Sequence, residues 1–308
     1  MMKMKNKAHV EGYLYQHSLE LKTSGPNSKT PGTEFISGNV DIATDENMTN
    51  IVTVHYTYTT AVTGSGKTNS TFNVLKDIID EKLCSVIKHG ADNAAMIAID
   101  TAIDLNEFYS DRNGKEELVS AKRLEGGFAV VKSSLNEDET KRNTFDVDMI
   151  ITGFRTIEAD AEKNLPEKMM LKGAIFNFRN ALLPVEFSVT NPRAMSYFEG
   201  LEPNSRNPVF TRLQGRLVSE VTTRTVTEEG AWGDPIVKTY SSTRKDYVIT
   251  WAASEVYEWD SESTITAEEL KKAMSDRETT VAEIKARQDA YKASKNQPAA
   301  PAPGAFNF

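Results

Sequence analysis

Aromatic side chains interleaved with lysines and arginines recur along this chain, and that mixture suits a polyanion that carries flat bases. Cations neutralise phosphates while ring faces stack on bases, each stacked base contributing about 1–3 kcal/mol. In the first half the rings are Tyr13, Tyr15, Tyr56, Tyr58, Phe108 and Tyr109, accompanied by Lys22, Arg112, Lys115, Lys122 and Arg123. In the second half they are Phe154, Phe176, Phe178, Tyr240, Tyr247 and Trp251, with Arg155, Lys172, Arg179, Arg212, Arg216, Arg244 and Lys245. Core packing is the alternative for any ring. Strand alternation puts Tyr56 and Tyr58 on one face with Val52 and Val54, which fits a core as well as a stacking role. Phe176 and Phe178 also share a face, and Arg179 follows at once, so ligand contact and core packing are both open for them.

A rival chemistry lies in Ala61-Val62-Thr63-Gly64-Ser65-Gly66-Lys67-Thr68, a relaxed phosphate-loop pattern with Ala for the first Gly. Met96-Ile97-Ala98-Ile99-Asp100 could then serve as the acidic strand that holds Mg²⁺, making the chain an ATPase. Two points oppose this. A phosphate-loop strand is buried on both faces and reads as nearly continuous Val, Ile and Leu, whereas Thr53-Val54-His55-Tyr56-Thr57-Tyr58 alternates. The following helix also begins too late, near Ser70, to place its amides under Lys67 and Thr68. The other reading of the loop is a Gly-Ser turn whose Lys67 touches a phosphate.

Other catalytic groupings are weaker. The single cysteine, Cys84, sits in an apolar helical run, and His9, His17, His55 and His89 show no metal-ligand spacing, so neither a metal nor a cofactor is expected. No apolar run approaches the roughly 20 residues that span a bilayer. The start, Met1-Met2-Lys3-Met4-Lys5-Asn6-Lys7, lacks an apolar signal core, which leads to the expectation of a cytoplasmic protein. A net charge of -8 opposes non-specific coating of duplex DNA but leaves room for a locally basic groove.

The elements that must hold these residues repeat. The segments 9–14, 36–40 and 52–56 form strand patterns with Gly12 and Gly38 at matching places, and 149–154, 171–175 and 183–187 repeat them with Gly153 and Gly173. Such a repeat with Gly at sheet corners predicts two small β-barrels in tandem. A helix pattern follows the first three strands over 71–83; strands follow over 96–108 and 116–124, joined by a hairpin at Asn113-Gly114. Strand, strand, strand, helix, strand, strand is the order of an oligonucleotide-binding (OB) barrel. The second unit repeats it, with a short helix over 192–200 and a long hairpin over 209–227 and 237–252. The expected organisation is a mainly β chain: barrel 1 over 1–134, barrel 2 over 144–260, a helix over 264–294, and a flexible Pro/Ala tail over 295–308. Thr266 and Glu269 form a capping box for that helix, whose apolar face is expected to carry Leu270, Met274, Val281, Ile284 and Tyr291.

Asn6-Lys7 followed by Gly12 and Leu14, then Val40-Asp41-Ile42-Ala43-Thr44, then the run from Asn106 through Phe108-Tyr109-Ser110-Asp111 to Gly114-Lys115 stand in a telling order. Through them residues 6–129 resemble the bacterial and phage single-stranded DNA-binding (SSB) proteins, and the whole chain is similar to a phage version with two barrels. The resemblance implies that Tyr109 stacks on a base. A tryptophan of the family's third strand is absent, with Ile51 and Val52 near its place, so Tyr56 or Tyr58 would substitute. It also implies a tail that recruits replication or recombination proteins through Phe306 and Phe308, although the acidic residues that usually precede such a tip are missing. The expectation is a non-catalytic protein that coats single-stranded DNA, with RNA and self-association left open, in the cytoplasm of a bacterial host. The other readings are the ATPase and a virion structural or assembly protein built from tandem barrels.

Overall fold

Short-range alternation explains most strands directly. In Ile51–Thr60, Val52, Val54 and Tyr56 point into the core while Thr53 and His55 stay half-exposed, the period of two that a strand with one buried face requires. The structure, a computed structural model, describes residues 4–112, 114–159, 166–229, 232–259 and 264–295. Its strands are β1 (Asn6–His17), β2 (Glu20–Thr23), β3 (Glu34–Ala43), β4 (Ile51–Thr60), β5 (Met96–Arg112), β6 (Lys115–Lys132), β7 (Asn143–Ile157), β8 (Lys168–Phe176), β9 (Leu182–Val189), β10 (Val209–Glu228) and β11 (Ile236–Ala252). The helices are α1 (Ser70–Ile79), α2 (Val86–His89), α3 (Pro192–Gly200) and α4 (Ala267–Lys295).

The pairings close two barrels of the same topology. In the first, β1 pairs with β3 and β5, β3 with β4, β5 with β6, and a short parallel contact of Val54 with Leu124 joins β4 to β6. In the second, β7 pairs with β8 and β10, β8 with β9, β10 with β11, and Ser188 of β9 meets Val248 of β11 in parallel. Each is a five-stranded barrel with its helix between the third and fourth strands, the OB arrangement. Gly12 is required where β1 passes from one partner to the next, since a Cβ there would lie 2.0 Å from the Ala43 carbonyl oxygen. α1 plugs barrel 1: Asn69 caps it by accepting the Thr71 N–H, and Phe72, Leu75 and Ile78 are buried beneath.

The barrels are joined edge to edge. β1 pairs antiparallel with β7 from Asn6↔Val147 to Val10↔Asn143, and one hydrophobic cluster runs through both barrels from Val10 and Val54 to Phe145, Phe187 and Leu213. Ten residues separate β6 from β7. Within them Arg142 is buried and bonds Glu46 and the Asn136 carbonyl, which ties the connection to barrel 1.

Both long hairpins, β5–β6 and β10–β11, outgrow their barrels; the first runs further than the sequence pattern predicts, and the second matches it to within a residue at the tip. The capping box of α4 forms: the Thr266 N–H donates to Glu269 and the Glu269 N–H to Thr266 Oγ1. Its packing face departs in part from expectation. Ala273 is buried, and Arg277 and Gln288 are half-buried together with the expected Leu270, Val281 and Ile284, whereas Met274 and Tyr291 are exposed. Only the first turns, with Leu270 and Ala273, sit on an apolar patch formed by Ile150, Phe176, Leu182 and Phe210. Beyond them α4 lies on the β5–β6 hairpin through ion pairs, which no apolar periodicity could reveal. Among the described residues no helix is long and apolar enough to cross a membrane.

Candidate nucleic-acid interface

Three exposed aromatic rings gather where β4, β5 and β6 meet the β8–β9 turn. A cleft of about 640 Å³ there is lined by Tyr58, Arg123, Phe128, Phe178 and Arg179, with the carboxylates of Asp100, Asp104 and Glu125 at its floor and rim. Tyr58 is 46% exposed, Phe128 75% and Phe178 79%.

Each ring is presented by local backbone chemistry. Tyr58 shares the parity of buried Tyr56, but β4 has by then run past the barrel. Its ring lies 4.4 Å from that of Phe35, and its hydroxyl meets Ser24 Oγ at 2.9 Å and Thr30 Oγ1 at 3.0 Å. Phe178 stands on the β8–β9 turn, where Asn177 Oδ1 accepts the N–H groups of Arg179 (3.0 Å) and Ala181 (3.1 Å). The Arg179 guanidinium covers the Phe178 ring at 5.1 Å, so ring and cation are offered together.

Phe128 owes its exposure to a β-bulge. Asp100 pairs with Phe128 but Ala102 with Glu125, so β6 carries one residue more than β5. Gly126 and Gly127 take φ of 62° and 116° to absorb it, and a Cβ on Gly127 would lie 2.2 Å from the Asp100 carbonyl oxygen. The consequence is a change of face: Leu124 and Ala129, five apart, are both buried, and Phe128 turns outward. Sequence reasoning missed Phe128, although the Gly126-Gly127 pair inside an apolar strand was the available signal.

A second cleft, about 400 Å³, adjoins the first through Arg123. It lies between the two long hairpins and the β3–β4 face, lined among others by Asn39, Thr53, His55, Lys122, Lys245 and Tyr247. Lys122 closes its inner end. Its ammonium donates to the Glu186 carbonyl and sits 5.3 Å and 4.8 Å from the ring centres of Phe187 and Tyr247, and burial pushes its pKa down to about 8. Burial likewise lowers the His55 imidazole, whose Nδ1 lies 2.7 Å from Asn39 Oδ1.

Several sequence candidates are placed elsewhere. Tyr56 and Phe176 are each 1% exposed, within the core, and offer no ring face. Phe154 packs half-buried against the core, and Tyr13 donates its hydroxyl to Glu46, which raises its pKa. Tyr15 is half-buried, and Phe108 is exposed on the β5–β6 hairpin away from the first cleft. Tyr109 lies under α4: its N–H donates to Gln288 Oε1 at 2.8 Å, its carbonyl accepts from Gln288 Nε2, and Lys285 lies 5.4 Å from its ring centre. Trp251 is 46% exposed on barrel 2, with the Arg212 guanidinium 5.9 Å from its ring centre.

Among the cations, Arg123, Arg179 and Lys245 line the clefts. Several cations face an acid: across strands, Arg155 and Lys172 meet Glu186 and Arg212 pairs with Asp146, while along one strand Lys22 meets Glu20 and the cleft's own Arg123 meets Glu125. Arg216 donates to neutral Asn143 Oδ1, and Lys67 and Lys115 are exposed on a loop and a hairpin end. The Arg112 and Arg244 side chains, and Phe306 and Phe308, lie outside the described residues.

The phosphate-loop pattern folds as a closed turn. Thr63 N–H donates to the Lys67 carbonyl, Gly66 N–H to the Thr63 carbonyl and Lys67 N–H to Thr63 Oγ1. Amides spent inside the turn cannot cradle a phosphate, and β4 beside it is antiparallel to β3. Among the described residues no group of three or more His, Cys, Asp or Glu could hold a metal ion.

Comparison with solved structures finds likeness to a deletion mutant of the single-stranded DNA binding protein from Thermus aquaticus. The TM-score is 0.44 at 10% identity, covering 84% of this chain and 98% of that chain. No curated protein matches the sequence. The YorF family model matches residues 5–287, and the chain therefore belongs to the YorF family.

Proposed function

We propose that this protein binds single-stranded nucleic acid, DNA in the first instance, without sequence preference and without catalysis. The observation that carries this reading is the cleft in which Tyr58, Phe128 and Phe178 stand open beside Arg123 and Arg179, on two OB barrels joined edge to edge. Rings that accept any base face, next to guanidinium groups that accept phosphate, are what a sequence-tolerant grip on an unpaired strand needs. A duplex hides its base faces, so the same cleft would discriminate against it.

Within this proposal the protein coats strands during phage replication or recombination in the cytoplasm of a bacterial host. Residues 296–308 recruit a partner protein through Phe306 and Phe308, and self-association extends the coat. The resemblance of residues 6–129 to SSB proteins supports these finer points, and a non-catalytic role accords with the closed turn at 61–68.

Fluorescence anisotropy with labelled oligo(dT) and with a duplex of equal length tests the reading. Binding of oligo(dT) at about 50 mM salt that weakens as salt rises, with the duplex bound much less, is expected. Equal affinity for duplex, or no binding at low salt, would sink it. Nucleotide turnover abolished by Lys67→Ala would favour the ATPase instead.

A further inference from the structure

We propose that the strand held in the Tyr58–Phe128–Phe178 cleft continues across the seam between the barrels to stack on Trp251, so that the two barrels present one track. This rests on the function proposed above and specifies the route. The register places Phe128, Asp100, His9, Thr144 and Arg216 side by side on β6, β5, β1, β7 and β10, one residue from each strand on one face of the joined sheet. The neighbouring row, Lys7, Asp146, Gln214 and Trp251, ends on the indole. At about 4.8 Å per strand, the five steps from β6 to β11 span roughly 24 Å.

The surface along these rows is concave without a break. The first cleft shares Asp100, Thr101 and Phe128 with the depression over His9, and that depression shares Thr144, Phe145 and Asp146 with the next. The last meets the Trp251 pocket at Thr250. The acids on the route already hold partners. Asp100 lies 2.6 Å from His9 Nδ1, and Asp146 takes both Arg212 and, at 3.9 Å, Lys5. The Arg212 hydrogen bonds hold the Asp146 carboxyl below the usual aspartate range although burial pushes it up. What remains for phosphate is the exposed ammonium of Lys7 and the Arg216 guanidinium, which donates to the neutral Asn143 side chain. An exposed ring at each end with cations between them fits an extended phosphodiester strand better than two separate ligands.

Oligo(dT) of about 4 and about 16 nucleotides, the two ends of the range of OB site sizes, should be titrated into the full chain, Trp251→Ala and Lys7→Glu. The expected result is that the short strand binds all three alike through the barrel 1 cleft, while the long strand binds both variants about tenfold more weakly. In a Trp232→Phe, Trp259→Phe background, indole emission should be quenched by the long strand and not by the short one. Unchanged long-strand affinity in both variants, or equal weakening for both lengths, would overturn the route while leaving the barrel 1 reading intact. Failure of the unmodified protein to bind either length would overturn that reading and the route with it. Lys7→Glu changes an exposed side chain, so the result does not depend on whether Trp251→Ala folds.

Discussion

Phe128 and Lys122 lie four residues beyond and two before Leu124 on the same strand, yet one faces solvent and the other is locked between barrels. Residue type alone ranks them the other way, as a core phenylalanine and a surface cation. Phe128→Ala should therefore weaken oligo(dT) binding by about 1–3 kcal/mol and leave the melting temperature nearly unchanged, because an exposed ring contributes little to folding. A large loss of stability would place the ring in the core instead. For Lys122 the sign runs through the unfolded chain, where a lysine titrates near 10.5 against about 8 in the fold. Between those values the unfolded state binds more protons, so this group makes stability rise with pH there, and below about 8 its burial cost is felt in full. Denaturant melts from pH 7.5 to 10.5 should show that rise in the native protein relative to Lys122→Met; the reverse order would mean that the ammonium is well solvated. The lining of the candidate cleft is partly legible in the sequence, since Tyr58, Phe178, Arg123 and Arg179 stand out by type and alternation. The sequence hid Tyr109 and Phe176, because what covers a ring is decided by α4 and by the end of β8.

Two devices set the site at the level of elements, and both depend on contacts distant in sequence. The Gly126–Gly127 bulge aims Phe128, so Gly127→Ala, at φ 116° with a carbonyl 2.2 Å from the new methyl, should cost about 1–3 kcal/mol of stability and weaken binding more than Ala at an ordinary strand position. Equilibrium unfolding and anisotropy measure the two effects, and a neutral substitution would refute the bulge. The second device is α4, held on the β5–β6 hairpin by Arg277 on Glu107 and by Lys285 and Lys292 on Glu116. Burial pushes the Glu107 carboxyl up, but the Arg277 and Ser120 hydrogen bonds outweigh it, and the lysine hydrogen bonds lower that of Glu116; both end below the ordinary glutamate range. A depressed carboxylate stabilises above its unfolded pKa and ceases to do so as pH falls through the folded one. Protection of 277–292 against hydrogen exchange, taken relative to the intrinsic amide rate at each pH, should therefore hold at neutral pH and fall below the glutamate range, or when Glu116→Gln removes the anion. Protection unchanged in Glu116→Gln would show that the helix does not depend on this pair. The capping box made the start of α4 legible. Its seat was not, because an ionic contact leaves no apolar stripe.

At the scale of the whole molecule, strand order was readable because it follows from local alternation and turns, while the seam was not, because the pairing of β1 with β7 depends on which edges remain open after each barrel closes. The seam decides how the protein should unfold. Val10 and Phe145 belong to one continuous hydrophobic cluster, and Asn50 of barrel 1 donates its Nδ2 to the Leu217 carbonyl of barrel 2 at 3.2 Å and accepts the Ser219 N–H of barrel 2 at 2.5 Å. Lys122 adds a further crossing, from the barrel 1 hairpin to Glu186 and the Phe187 ring. Opening barrel 1 alone would expose apolar surface of barrel 2 at about 25 cal/mol per Å² and leave the buried Ser219 N–H without its Asn50 partner, so a half-folded state is strongly disfavoured. Calorimetry should then give one transition with calorimetric and van't Hoff enthalpies in agreement, and residues 143–259 expressed alone should lack it. Two resolved transitions would mean that the barrels are independent beads, and a single rigid track across the seam would lose its footing.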